Sequence, residues 1–124
     1  MERLTKKEEE VMHIIWQIGR GFVNDVLEKL PPPKRPYSTV SSVVRILEKK
    51  GFVGYKAYGK TYEYFPIVSR DEYRKFDLKR VIRDYFENSY KDVISFFAKE
   101  EKINEEELKE IIQLIQSKQN QNGN

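Results

Sequence analysis

The chain has 124 residues, 39% of them apolar and 35% charged, with a net charge of +3, the size of one domain with room for a small appendage. It holds no cysteine and one histidine, His13, which excludes disulfides, thiolate metal sites and multi-histidine centres and fits a reducing compartment. No basic-plus-apolar leader opens the sequence, and no apolar run approaches the roughly 18 residues of a membrane span, so a cytoplasmic protein without membrane insertion is expected.

Thr5-Lys6-Lys7-Glu8 forms a capping box, in which Thr5 accepts from the backbone N–H of Glu8 and Glu8 reaches back. Leu4 is placed for a hydrophobic staple. Val11, Ile14, Ile15 and Ile18 then repeat at helical spacing, Met12 and Trp16 widen the stripe, and Gly19 and Gly21 end the helix. His13 beside the stripe and Trp16 within it read as structural residues. A second, short helix covers roughly 22–30, with Val23, Val26, Leu27 and Leu30 on one face. Pro31-Pro32-Pro33 stops it, because proline lacks the N–H and clashes with the preceding turn. The connection to the next helix is a stiff, basic turn, PPPKRP.

The stretch from Pro36 to Lys50 carries the strongest functional signal. Val40, Val43, Val44 and Leu47 fall at i, i+3, i+4 and i+7. The opposite face holds Ser38, Ser41, Ser42, Arg45 and Lys49, with Thr39 alongside, side chains suited to phosphates and to base edges in a major groove. Ile46 lies off the core side; contact with a thymine methyl or packing under the following hairpin would each account for it. After Gly51 the period changes to two. Residues 52–57 and 61–65 are rich in aromatic and β-favouring types and are separated by Tyr58-Gly59-Lys60, which reads as a β-hairpin. Lys56 and Lys60 sit on or near its tip, and packing against the third helix is expected for Tyr62 or Tyr64. Three helices and a basic hairpin make a winged helix-turn-helix. Within 29–60 there are eight basic residues against one acid, Glu48, a local +7 that is the footprint of a nucleic-acid binder.

The remainder is helical. Ser69-Arg70-Asp71-Glu72 is a second capping box, opening a helix to about residue 87 whose Tyr73, Phe76, Leu78, Val81, Ile82, Tyr85 and Phe86 are too apolar for a lone surface helix. Ser89 caps a shorter helix with Val93, Ile94, Phe96 and Phe97, and Asn104 with Glu107 opens a last one carrying Leu108, Ile111, Ile112 and Ile115. The expected organisation is a mainly α fold with a small β-hairpin wing. It comprises a winged-helix DNA-binding domain over 1–68, a helical dimerisation region over 69–117 and a flexible tail over 118–124. Burial of the C-terminal apolar faces in a twofold homodimer is the economical solution; an intramolecular cap on the winged helix is the alternative. The expected dimer residues are Phe76, Val81, Ile82, Tyr85, Phe86, Phe97, Leu108, Ile111, Ile112 and Ile115.

Taken in order, LTKKEEEVMHIIW, a short helix ending in Leu-Pro, YSTVSSVVRILEKKGFV and GKTYEYFPIVSRDEY resemble the penicillinase-repressor family, the BlaI/MecI/CopY-type winged-helix transcriptional regulators. The resemblance runs roughly from Leu4 to Ile115. It implies a homodimeric repressor on an inverted-repeat, double-stranded DNA operator, with the C-terminal helices forming the dimer. It also implies a membrane-bound sensor protease that releases the repressor in an antibiotic (β-lactam)-type response by cutting the C-terminal region. The family's scissile Asn-Phe pair falls on Phe96-Phe97, where the asparagine is absent; dimer core is the other reading of these two phenylalanines. The cysteine motif of the copper-responsive members is also missing, and Phe22 stands where the family often has a threonine.

In the expected DNA complex Arg45 reads a base, because a guanidinium grips guanine bidentately, and Lys49, Lys56 and Lys60 neutralise phosphates. A winged-helix protein-interaction module without DNA binding is the rival reading; the local +7 and the hydroxyl-rich helix face argue against it. No cofactor is expected, and no nucleophile-and-base arrangement that would mark an enzyme is visible.

Overall fold

The computed structural model describes residues 1–100 and 102–122, the side chains of 115 and 118–122 excepted. The elements run α1 (Lys6–Ile18), α2 (Val23–Lys29), α3 (Tyr37–Lys49), β1 (Val53–Tyr58), β2 (Thr61–Pro66), α4 (Arg70–Phe86), α5 (Tyr90–Lys99) and α6 (Glu105–Asn122). They form two compact units, residues 1–78 and 79–124.

In the first unit the local signals are met by specific hydrogen bonds. Thr5 Oγ1 accepts from the Glu8 N–H at 3.3 Å and Glu8 Oε1 accepts from the Thr5 N–H at 3.1 Å, closing the box that starts α1. Phe22 has no hydroxyl with which to cap α2. Asp25 takes over half of that task, its carboxylate accepting from the Phe22 N–H at 2.8 Å. α3 starts straight from Pro36 and is stopped by Gly51, whose φ of 82° is the left-handed region that glycine enters without cost. β1 and β2 pair antiparallel with Val53 opposite Pro66 and Tyr58 opposite Thr61.

A further pairing joins this hairpin to the helices. Gly21 and Tyr64 exchange both backbone hydrogen bonds, at 3.0 and 2.7 Å, so the loop between α1 and α2 adds a one-residue third strand to the wing. The loop packs closely here: a Cβ on Gly21 would lie 2.8 Å from Ile18 Cδ1 and 3.2 Å from the Asp25 Cβ.

The core of the first unit takes Val11, Met12 and Ile15 from α1, Val26 from α2, and Val40, Val44 and Leu47 from α3, closed by Phe52, Val53 and Tyr64. At roughly 1.5–3 kcal/mol for each large apolar side chain buried, this cluster dominates the unit's stability. Val43, expected on the same face of α3, is only partly buried. The start of α4 joins the core through Tyr73 and Phe76. Tyr73 is also pinned by hydrogen bonds: its hydroxyl accepts from the Leu4 N–H at 2.9 Å and donates to Glu9 at 3.3 Å. Trp16 Nε1–H donates to the Val68 carbonyl at 2.9 Å, the partner that a half-buried indole requires.

The second unit is built differently. Ser89 caps α5 by accepting from the Asp92 N–H at 3.1 Å, and Asn104 and Glu107 form a reciprocal box at the start of α6. Between α4 and α5 the chain turns through Glu87 and Asn88, both at positive φ (50° and 65°). Among the described residues of this unit, Ile82 is the one buried hydrophobic side chain. No residue of α5 is buried. α6 continues to Asn122, into the stretch 118–124 expected as a tail; neither glycine nor proline interrupts it before Gly123.

Candidate nucleic-acid interface

α3 turns Val40, Val44 and Leu47 into the core. At about 100° per residue, this leaves Ser38, Ser42, Arg45 and Lys49 as one outward stripe, all four exposed. Ser42 Oγ donates to the Ser38 carbonyl at 2.9 Å, which holds the hydroxyl against its own helix with its lone pairs outward. Ser41, partly buried, lies at the wing edge of this stripe. There, Ser41 and Arg45 of α3 meet Lys60 and Thr61 of the hairpin turn, with Tyr37 and Tyr62 as aromatic walls, around a recess of about 100 Å³. A space that small holds no ordinary ligand. It marks the corner where helix and wing present one continuous face.

Not every expected residue joins this face. Thr39 is exposed on the other flank of α3, beside Lys6, Lys7 and Arg35. Lys56 stands apart from the set. Its ammonium lies 5.3 Å from the Tyr58 ring centroid, and it is opposite Glu63, which pairs with Arg20 at 3.4 Å. The local positive charge is also smaller than the residue count implies. Lys50 is held 2.6 Å from Glu8, and the Arg35 guanidinium lies against Glu10. Six of the eight basic residues of 29–60 therefore remain outside these pairs.

The tyrosines of the wing divide by depth. Tyr64 is buried, and burial pushes its phenol above the ordinary value, with the Glu48 carboxylate adding to the effect and Arg45 opposing it. Tyr62 is 42% exposed and stacks on Tyr55 with ring centroids 4.5 Å apart. The outward aromatics Tyr37, Tyr55 and Tyr62 are absent from the residues expected at the interface. The hairpin register was the signal: residues 55, 62 and 64 share one face of the strands, with Tyr55 directly opposite Tyr64, and of the three only Tyr64 is buried. Ile46 is 41% exposed, on the flank of α3 away from Ser41 and Glu48, so the wing does not cover it.

The residues expected in a dimer are distributed as follows. Phe76 packs against the core of the first unit, and Ile82 is buried within the second. Val81, Phe86, Leu108 and Ile111 are partly buried. Tyr85 (75% exposed), Ile112 (51%), Phe96 (50%) and Phe97 (41%) stand open. Ile115 lies outside the described side chains. Phe96 forms edge contacts with Phe86 at 6.0 Å and with Phe97 at 5.5 Å.

Three helices, a bridged hairpin and a polar stripe on the third helix define a winged-helix protein with the features of a transcription regulator. A model of the penicillinase repressor family matches residues 4–117, so the chain belongs to that family of transcriptional repressors. The methicillin resistance regulatory protein MecI of Mammaliicoccus sciuri is 24% identical over 117 residues, covering 93% of this chain and 94% of that protein. The penicillinase repressor of Bacillus licheniformis is 20% identical over 119 residues, 95% of this chain and 93% of its own length. Among solved structures, that of the CopR repressor aligns with a TM-score of 0.45 at 24% identity, covering 53% of this chain and 97% of that one. These relatives are regulators, and no described helix is long and apolar enough to cross a membrane.

Proposed function

We propose that the protein is a sequence-specific DNA-binding repressor that acts as a homodimer on an inverted-repeat operator. The observation that carries this reading is the continuous face formed by the α3 stripe and the wing turn, with Arg45 and Lys60 around one recess. A helix of this width enters a major groove, and a wing beside it reaches the adjoining phosphates. Arg45 is the base reader, since its guanidinium is exposed at mid-helix and has the fork geometry that guanine accepts. Lys49 and Lys60 serve phosphates.

The second unit supports the dimer. Helical segments that, from residue 79 on, bury a single apolar side chain among those described do not repay the entropy of their own folding, and a twofold partner covering Ile112, Phe97 and their neighbours supplies what is missing. Release by proteolysis at Phe96-Phe97, by a membrane-bound sensor protease of the kind the family resemblance implies, would require α5 to open, because both residues lie inside the helix.

A footprint of the purified protein on the DNA flanking its own gene tests the reading, followed by anisotropy titrations on the protected sequence and on random DNA. Arg45→Ala is expected to cost about 1–3 kcal/mol on the operator and to relax preference at one base pair. Lys60→Ala weakens both DNAs alike and reduces the salt slope by about 0.9. Equal losses for Arg45→Ala on the two DNAs would remove its assignment as a base reader. No protection of any DNA would return the fold to a protein-interaction module.

A further inference from the structure

The groove on the other flank of α3, between that helix and the start of α1, is left unused by the DNA-facing stripe. It encloses about 520 Å³, within the roughly 300–1,000 Å³ of small-molecule sites. Val11, Val40 and Val43 form its floor, and Lys6, Lys7 and Arg35 stand at its rim. Glu10 also lines it, but its carboxylate is engaged by the Arg35 guanidinium. Among the described residues no carboxylate pairs with Lys6 or Lys7. Of the N–H groups in the first turn of α1, that of Glu8 is already taken by Thr5.

Floor and rim make different demands. Cations at the rim attract any anion, a DNA phosphate included. A valine floor gains only from an apolar body that displaces water from it, and a phosphodiester backbone has none. We propose that this groove binds a small amphiphilic anion, a carboxylate or sulfonate on an apolar body, and that its occupation weakens DNA binding. The second half rests on the DNA-binding reading above. The two share α3, whose Thr39, Val40 and Val43 line the groove on the flank away from the DNA-facing stripe. A bound anion brings negative charge within about one Debye length, ~8 Å at physiological salt, of the helix offered to DNA.

The full-length chain is titrated with 8-anilinonaphthalene-1-sulfonate, with decanoate and decanol as competitors. One saturable probe site per chain is expected, displaced at least tenfold more effectively by decanoate than by decanol. Amide shifts at Val11, Thr39 and Val43 should accompany binding. The double variant Lys6→Glu/Lys7→Glu, both positions being exposed, should keep its circular dichroism and lose at least tenfold in probe affinity. Unchanged probe affinity in that variant, or equal displacement by decanol, overturns the site and moves the probe to the open apolar side chains of residues 79–124. The ratio of DNA affinities with and without decanoate then tests regulation. A ratio of one, with the groove demonstrably filled, overturns the regulatory half. A protein that fills the groove but binds no DNA under any condition overturns the DNA-binding reading and leaves the site standing.

Discussion

Glu8 shows how one residue can hold the winged helix together. It is 6% exposed and carries a charge, an arrangement that costs several kcal/mol unless it is paired. Burial alone would raise its pKa, but the Lys50 ammonium at 2.6 Å and the Thr5 backbone and hydroxyl outweigh that, and the carboxyl is held below its ordinary value. A depressed carboxyl binds its proton less readily in the folded chain than in the unfolded one. Its stabilisation is therefore complete above the ordinary carboxylate range and disappears as pH falls through the depressed value. Glu8→Gln is expected to lower stability by about 1–3 kcal/mol at pH 7. Urea melts repeated towards pH 3 should show that difference shrinking. A constant gap across the range would mean that packing, and not the ion pair, explains the loss.

At the scale of the element, the start of α4 is fastened to the winged helix by Tyr73. Tyr73→Phe removes the acceptor of the buried Leu4 N–H and is expected to cost about 1–3 kcal/mol. The urea midpoint should fall with the slope unchanged; an unaltered midpoint would disprove the pin. Elements of this kind were legible in the sequence wherever their signal is local. The Thr5, Ser69, Ser89 and Asn104 caps each lie three residues from their partners, and the valines of α3 repeat with the helical period. What was not legible depends on residues far apart in the chain. Lys50 and Glu8 are 42 positions apart, so a lysine counted as part of a basic surface proves to be a structural counter-ion. The Gly21–Tyr64 bridge is one residue long and has no period to detect. Tyr62 and Tyr64 have the same chemistry and the same strand face, and only depth along the wing separates them.

At the scale of the molecule, the proposed dimer places most of its association energy on side chains that are open in the single chain. Ile112, 51% exposed on α6, is a direct probe. Ile112→Lys leaves the chain's own packing largely alone and sets like charges against each other across a twofold interface, so sedimentation velocity should report monomers. A variant that remains dimeric would exclude this face of α6 from the interface. The contrast between a unit with a full core and a unit with one buried hydrophobic side chain among those described has a further consequence, for dosage. Association stabilises whatever it completes by mass action, so the second unit should melt at a temperature that rises with protein concentration while the first does not. If only the paired form grips its operator, occupancy below the dimer dissociation constant falls with the square of chain concentration. A twofold drop in copy number then becomes a fourfold drop in repression, and the abundance of the protein acts as an input in its own right.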